Sequence, residues 1–63
     1  PDRVGIVIEL KYADDGNLEK ACGEALDQIE EKKYGEGLKR RGTKKIIKYG
    51  IAFWEKECMV EMG

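Results

Sequence analysis

From Val4 to Tyr12 the chain alternates. Val4, Ile6, Ile8, Leu10 and Tyr12 fall on one side of an extended backbone, and Val7, Glu9 and Lys11 on the other. This period of two, carried largely by β-branched residues, predicts a strand over 4–12. Ala13, Asp14, Asp15, Gly16 and Asn17 are small or turn-forming and end it. The rhythm then lengthens. Leu18, Ala21, Cys22, Ala25, Leu26 and Ile29 have the spacing of a single buried helical stripe. Asn17 can cap that helix by accepting a bond from an early backbone N–H. Glu19 in its first turn and Lys32 and Lys33 near its end suit the helix dipole. Gly35 and Gly37 are expected to bend or interrupt the helix, with a short second piece running to Gly42.

A strand pattern returns from Lys44 to Trp54. Ile47, Tyr49, Ile51 and Phe53 line one face, while Ile46, Lys48, Gly50, Ala52 and Trp54 line the other. Both faces are largely apolar, as in a central strand covered on both sides. Glu55 and Lys56 mark a tight turn, and Glu57 to Met62 gives a final strand with Cys58, Val60 and Met62 on one side. The order strand–helix–strand–strand predicts a right-handed parallel crossover followed by an antiparallel hairpin. One helix covers one face of such a sheet. The face carrying Val7 is expected to be the uncovered one, needing either further residues of a longer protein or a second copy of the chain.

Composition narrows the class. The 63 residues, 41% hydrophobic and 40% charged, leave room for one domain over 1–63 and a marginal core. A strand begins immediately after Pro1, Asp2 and Arg3, so the chain reads as part of a larger domain. No apolar run approaches the ~18 residues of a membrane span. The first apolar stretch carries Glu9 and Lys11, unlike a signal peptide. Twelve basic against thirteen acidic residues exclude a polybasic nucleic-acid binder, although the charge is unevenly spread. Two cysteines, Cys22 and Cys58, and no histidine exclude a disulfide framework, imidazole-dependent triads and zinc sites of the usual kind. A reduced, cytoplasmic setting follows as the expectation.

The candidate chemistry lies at Glu9, Leu10 and Lys11. A carboxylate and an ammonium project from the same strand face, close to a polar turn. That pairing suits metal-assisted phosphodiester hydrolysis. The carboxylate holds a hard cation, the Leu10 carbonyl adds an oxygen, and the ammonium orients water or offsets transition-state charge. In a chain this rich in charge, Glu-x-Lys also reads as an ordinary solvated ion pair at a strand end.

The surrounding blocks make the pattern more specific. Ile8, Glu9, Leu10, Lys11 and Tyr12 are followed by a polar turn, a helix containing Glu24 to Tyr34, and the strand Ile46 to Phe53. Over nearly its whole length the chain resembles the C-terminal PD-(D/E)xK nuclease-like domain of a bacterial family whose N-terminal part looks like an AAA-type ATPase. The resemblance implies an α/β fragment of the restriction-endonuclease-like fold, βαββ, with a three-stranded mixed sheet and one main helix. By that resemblance Glu9 is a Mg²⁺ ligand with the Leu10 carbonyl, Lys11 is the catalytic lysine, and Gln28 and Tyr34 support the site or contact nucleic acid. A solvated helix position and packing at the helix end are the alternative readings of Gln28 and Tyr34.

The superfamily also uses an Asp from the strand before Glu-x-Lys. Asp2 is a poor candidate, because seven strand positions place it roughly 23 Å from Glu9. The metal-binding Asp is therefore expected upstream, and the isolated fragment is expected to be inactive on DNA. The rival reading is a non-catalytic interaction or dimerisation domain with the same fold. Lys39, Arg40 and Arg41, with Lys44 and Lys45, form a basic patch that could grip phosphates or simply face solvent. Trp54 reads as core packing or as a base-stacking platform. Cys22 and Cys58 read as inert thiols.

Overall fold

A computed structural model describes residues 3–63, so Asp2 lies outside the described residues. The chain is a mixed α/β unit in the order β1 (Val4–Tyr12), α1 (Leu18–Glu31), α2 (Tyr34–Arg40), β2 (Lys45–Trp54) and β3 (Glu57–Met62). The three strands form one sheet, β1-β2-β3, with β2 in the centre. β1 runs parallel to β2 with Glu9 opposite Gly50 and Lys11 opposite Ala52. β3 returns antiparallel, with Glu61 opposite Gly50 and Met59 opposite Ala52. Among the described residues no helix is long and apolar enough to cross a membrane.

Local signals account for the boundaries of α1. Asn17 is extended and accepts a bond from the Lys20 N–H, capping the helix. Gly16 adopts a φ of 76° in the preceding turn, where a side chain would also crowd the Trp54 ring. The helix stops two residues earlier than the glycines suggest. Lys33, at a φ of 58°, takes the left-handed conformation between α1 and α2. Gly35 and Gly37 lie inside α2 rather than at the break. Gly35 is buried because Lys48 and Ile46 of β2 pass close to it.

Buried Ala21, Cys22, Ala25 and Ile29 of α1 and Ala52 of β2 form most of the interior, with Ala13 below the turn. Cys22 donates its thiol hydrogen to the Met59 carbonyl at 3.3 Å. Trp54, partly buried, packs against this cluster. Cys58 is exposed.

The helix covers the opposite face from the one the alternation suggested. Gly5, Val7, Glu9 and Lys11 lie on the α1 and α2 side. Leu38 of α2 packs at Gly5, and the α1 backbone lies over Gly50. The uncovered face is the one carrying Val4, Ile6, Ile8, Leu10 and Tyr12. It continues through Ile47, Tyr49, Ile51 and Phe53 to Cys58, Val60 and Met62. The physical reason is proximity. A helix can approach a sheet closely only over small residues, and those are Gly5, Gly50 and Ala52.

Gly50 sets that approach. A Cβ there would lie 2.5 Å from the Cys22 carbonyl oxygen and 2.9 Å from Leu26 Cγ. Gly50→Ala is expected to destabilise the chain by about 2 kcal/mol in urea unfolding. Gly23, on the outer side of α1, meets nothing within 4 Å. Gly23→Ala is expected to stabilise by about 0.5–1 kcal/mol through helix propensity, so the two alanines should move the midpoint in opposite directions.

Candidate functional site

β1 places Glu9 and Lys11 two residues apart on the helix side of the sheet, about 6.6 Å along the strand. Both are half-buried. The Leu10 carbonyl lies on the backbone between them. Lys11 lines a small cavity of about 240 Å³ with Asp14, Asp15, Lys20 and Glu24. Glu24 belongs to α1, so the helix contributes a carboxylate beside the lysine. Gln28 follows it by one turn on the same flank, in the direction in which β1 runs back from Lys11 to Glu9. These residues gather at the C-terminal half of β1.

The turn below the cavity is electrostatically fixed. Asp15 accepts a bond from the Asn17 N–H at 3.0 Å and pairs with Lys20 at 3.6 Å. The Asn17 amide is the main cause holding the Asp15 carboxyl below its ordinary value; limited desolvation opposes it and the Lys20 charge assists.

The other family positions lie elsewhere. Tyr34 opens α2, 45% exposed, at the opposite end of the sheet. Lys39 and Arg40 close α2, and Arg41 follows it in the turn. Lys39 lines a larger cleft of about 450 Å³ with Lys33, Lys44, Lys45, Lys48, Glu30 and Glu36. Lys48 pairs with Glu30 across this cleft. In strand positions, Lys48 is four residues from Ala52, the partner of Lys11, or roughly 13 Å. The fold thus keeps Glu9 and Lys11 on one strand face with Glu24 at the cavity Lys11 lines, and sets Tyr34, Lys39, Arg40 and Arg41 apart from them.

Glu24 and the Lys48–Glu30 pair do not stand out in sequence as parts of a site. Lys48 does carry a signal, as a lysine on the same strand face as Gly50 and Ala52. Glu24 carries none until the helix is docked.

A divalent cation is not accommodated by these residues alone. Glu61 lies across Gly50 from Glu9, but two strand spacings of about 4.8 Å separate them. The α1 backbone occupies the space over Gly50 between them. Among the described residues no group of three acidic or thiol side chains could hold a metal ion. One carboxylate and one backbone carbonyl fall short of the near-octahedral oxygen set that Mg²⁺ requires.

The family model of the PD-(D/E)XK nuclease superfamily matches residues 2–62. Searches of curated proteins and of solved structures return no match.

The Asp15 shift has a defined consequence for pH. A carboxyl with a lowered folded-state value contributes stability above the unfolded value and loses it as pH falls through the folded one. In a carboxyl-detected NMR titration, Asp15 is expected to titrate below the ordinary carboxylate value of about 3.9. Asn17→Ala removes the helix cap but leaves the backbone N–H, so it should leave most of that shift in place. Loss of the whole shift in this variant would assign it to helix capping instead.

Proposed function

Because this chain belongs to the PD-(D/E)XK nuclease superfamily, we propose that it supplies the Glu9–Lys11 half of a phosphodiester-cleaving site acting on DNA. The observation that carries this reading is the shared, half-buried face on which β1 presents the two side chains beside α1. Lys11 is the group that offsets charge developing on the phosphate, and Glu9 is the acceptor that fixes its surroundings. Gln28 and Glu24 border this face from the helix and position what enters it.

The remaining carboxylate has a natural place of entry. β1 is an edge strand among the described residues, paired only with β2. A strand added to its free edge would run about 4.8 Å away and could place an acidic side chain beside Glu9. Mg²⁺ dependence belongs to that completed arrangement, as does an ATPase-like neighbouring part. By itself the 63-residue chain is expected to bind DNA without cleaving it.

Binding would be carried by the basic end. Residues 32–48 contain Lys32, Lys33, Lys39, Arg40, Arg41, Lys44, Lys45 and Lys48 against a single acid, Glu36, in a chain of net charge −1. Such a concentration lowers its own repulsion by meeting a phosphate backbone.

Two measurements test the reading. In the protein as it occurs naturally, Lys11→Ala is expected to lower Mg²⁺-supported DNA cleavage by about 100-fold or more with the fold retained. Undiminished cleavage in that variant overturns the assignment, and absence of any cleavage favours a non-catalytic interaction domain. For the 63-residue chain, DNA affinity should fall with salt, and the combined Lys39→Ala, Arg40→Ala and Arg41→Ala change should reduce the logarithmic slope by up to about 3.

A further inference from the structure

The cleft between the end of α1, α2 and the start of β2 carries more positive charge than packing requires. Lys33, Lys39, Lys44, Lys45 and Lys48 line it against Glu30 and Glu36, a surplus of three charges in a chain of net charge −1. Among the described residues Lys33, Lys39 and Lys45 form no ion pair. Like charges gathered around a space of about 450 Å³ repel one another until an anion joins them. That volume lies within the ~300–1,000 Å³ usual for a small-ligand site.

Two of the lysines are placed for a ligand rather than for stability. Lys33 holds a φ of 58°, the left-handed conformation that glycine takes most readily just after a helix C-cap. A lysine there accepts backbone strain and brings its side chain to the cleft. Lys48 is the fixed cation. Its side chain is 25% exposed and passes over Gly35, where a Cβ would lie 3.3 Å from its Cε. Its ammonium donates to the Glu30 carboxylate, which is 67% exposed in the last turn of α1. A mostly buried cation is thus held by a carboxylate that solvent reaches freely, and such a pair adds little stability.

We propose that this cleft binds a phosphate monoester, and that the Glu30 carboxylate occupies the anion's place on Lys48 until the phosphate displaces it. At neutral pH a monoester brings nearly two negative charges and three acceptor oxygens, so it meets more of the surplus than an internal diester does. Glu30 swings into solvent, and Lys48 exchanges one anionic partner for another without being left unpaired. The source of the monoester rests on the nuclease reading given above: in a DNA-cleaving module it is the terminal phosphate of a strand. A free nucleotide offers the same chemistry.

Fluorescence anisotropy tests this with the 63-residue chain and one short DNA duplex carrying 5′-phosphates, 3′-phosphates or neither, in a chelator without Mg²⁺. One phosphorylated form is expected to bind about tenfold more tightly than the unphosphorylated duplex. Lys48→Ala should abolish that preference. Lys33→Gly should reduce it several-fold while raising the urea midpoint, a combination foreign to a purely structural lysine and readable even where Lys48→Ala fails to fold. Glu30→Gln should tighten the phosphorylated duplex about threefold, because a neutral amide no longer competes for Lys48. Equal affinity for all three duplexes overturns the proposal and leaves these lysines to the DNA backbone. A preference that survives Lys33→Gly or a folded Lys48→Ala overturns the cleft as its seat. Unchanged or weaker binding by Glu30→Gln overturns the role of Glu30. Adenosine monophosphate that competes as well as the phosphorylated duplex overturns the strand end as the source. No bond is broken in these measurements, so their failure is distinct from a failure of the whole protein to cleave DNA.

Discussion

The closeness of α1 to the central strand at Gly50 organises the rest of the molecule. With no side chain at that position, the Cys22 carbonyl rests over the strand, and Ala25 and Leu26 close around it. Small residues line both sides of the contact, with Ala21, Cys22 and Ala25 on the helix and Ala52 on the strand. Tight packing of this kind gains many short dispersion contacts over little area, which matters in a chain too short for a deep core. It also determines where polar side chains can go. Glu9 and Glu61, the two residues paired with Gly50, are pushed to opposite flanks of the helix, and Lys11 is left beside Glu24.

The same contact explains which parts of the fold the sequence disclosed. Strand limits at Val4, Tyr12, Glu57 and Met62 agree with the alternation, because period and turn residues are local properties. The Asn17 cap is local too. Hydrophobicity alone misassigned the covered face of β1. Its more apolar side, from Val4 to Tyr12, looked like the core side, whereas the helix docks on the side with smaller residues at Gly5 and Gly50. Shape complementarity outweighed hydropathy there, and only the paired register of β1 with β2 exposes that choice. The break at Lys33 was hidden for a similar reason. Glycines usually mark such breaks, but Gly35 is needed inside α2 to let Lys48 and Ile46 pass.

Candidate chemistry was legible to the extent that it lies on one strand. Glu9 and Lys11 share a face by parity, and the structure keeps them together. Residues brought from other elements were not: Glu24 lines one cavity with Lys11 only after the crossover is made, and the lysine cleft draws on the α1–α2 junction, α2 and β2. Spacing in sequence likewise did not reveal that Tyr34, Lys39, Arg40 and Arg41 sit at the far end from Glu9.

Two sides of this small sheet carry two separate demands. Its helix side bears the carboxylate–lysine pair and its open side bears the exposed apolar residues. The free edge of β1 is where the two meet, because the residues of an added strand would alternate between them. A strand there would extend the apolar face with one set of side chains and approach Glu9 with the other. Completing the site at that edge and covering the open face are therefore geometrically compatible. A cover on the open face does not compete with a carboxylate arriving at the edge, since the first packs perpendicular to the sheet and the second lies within its plane.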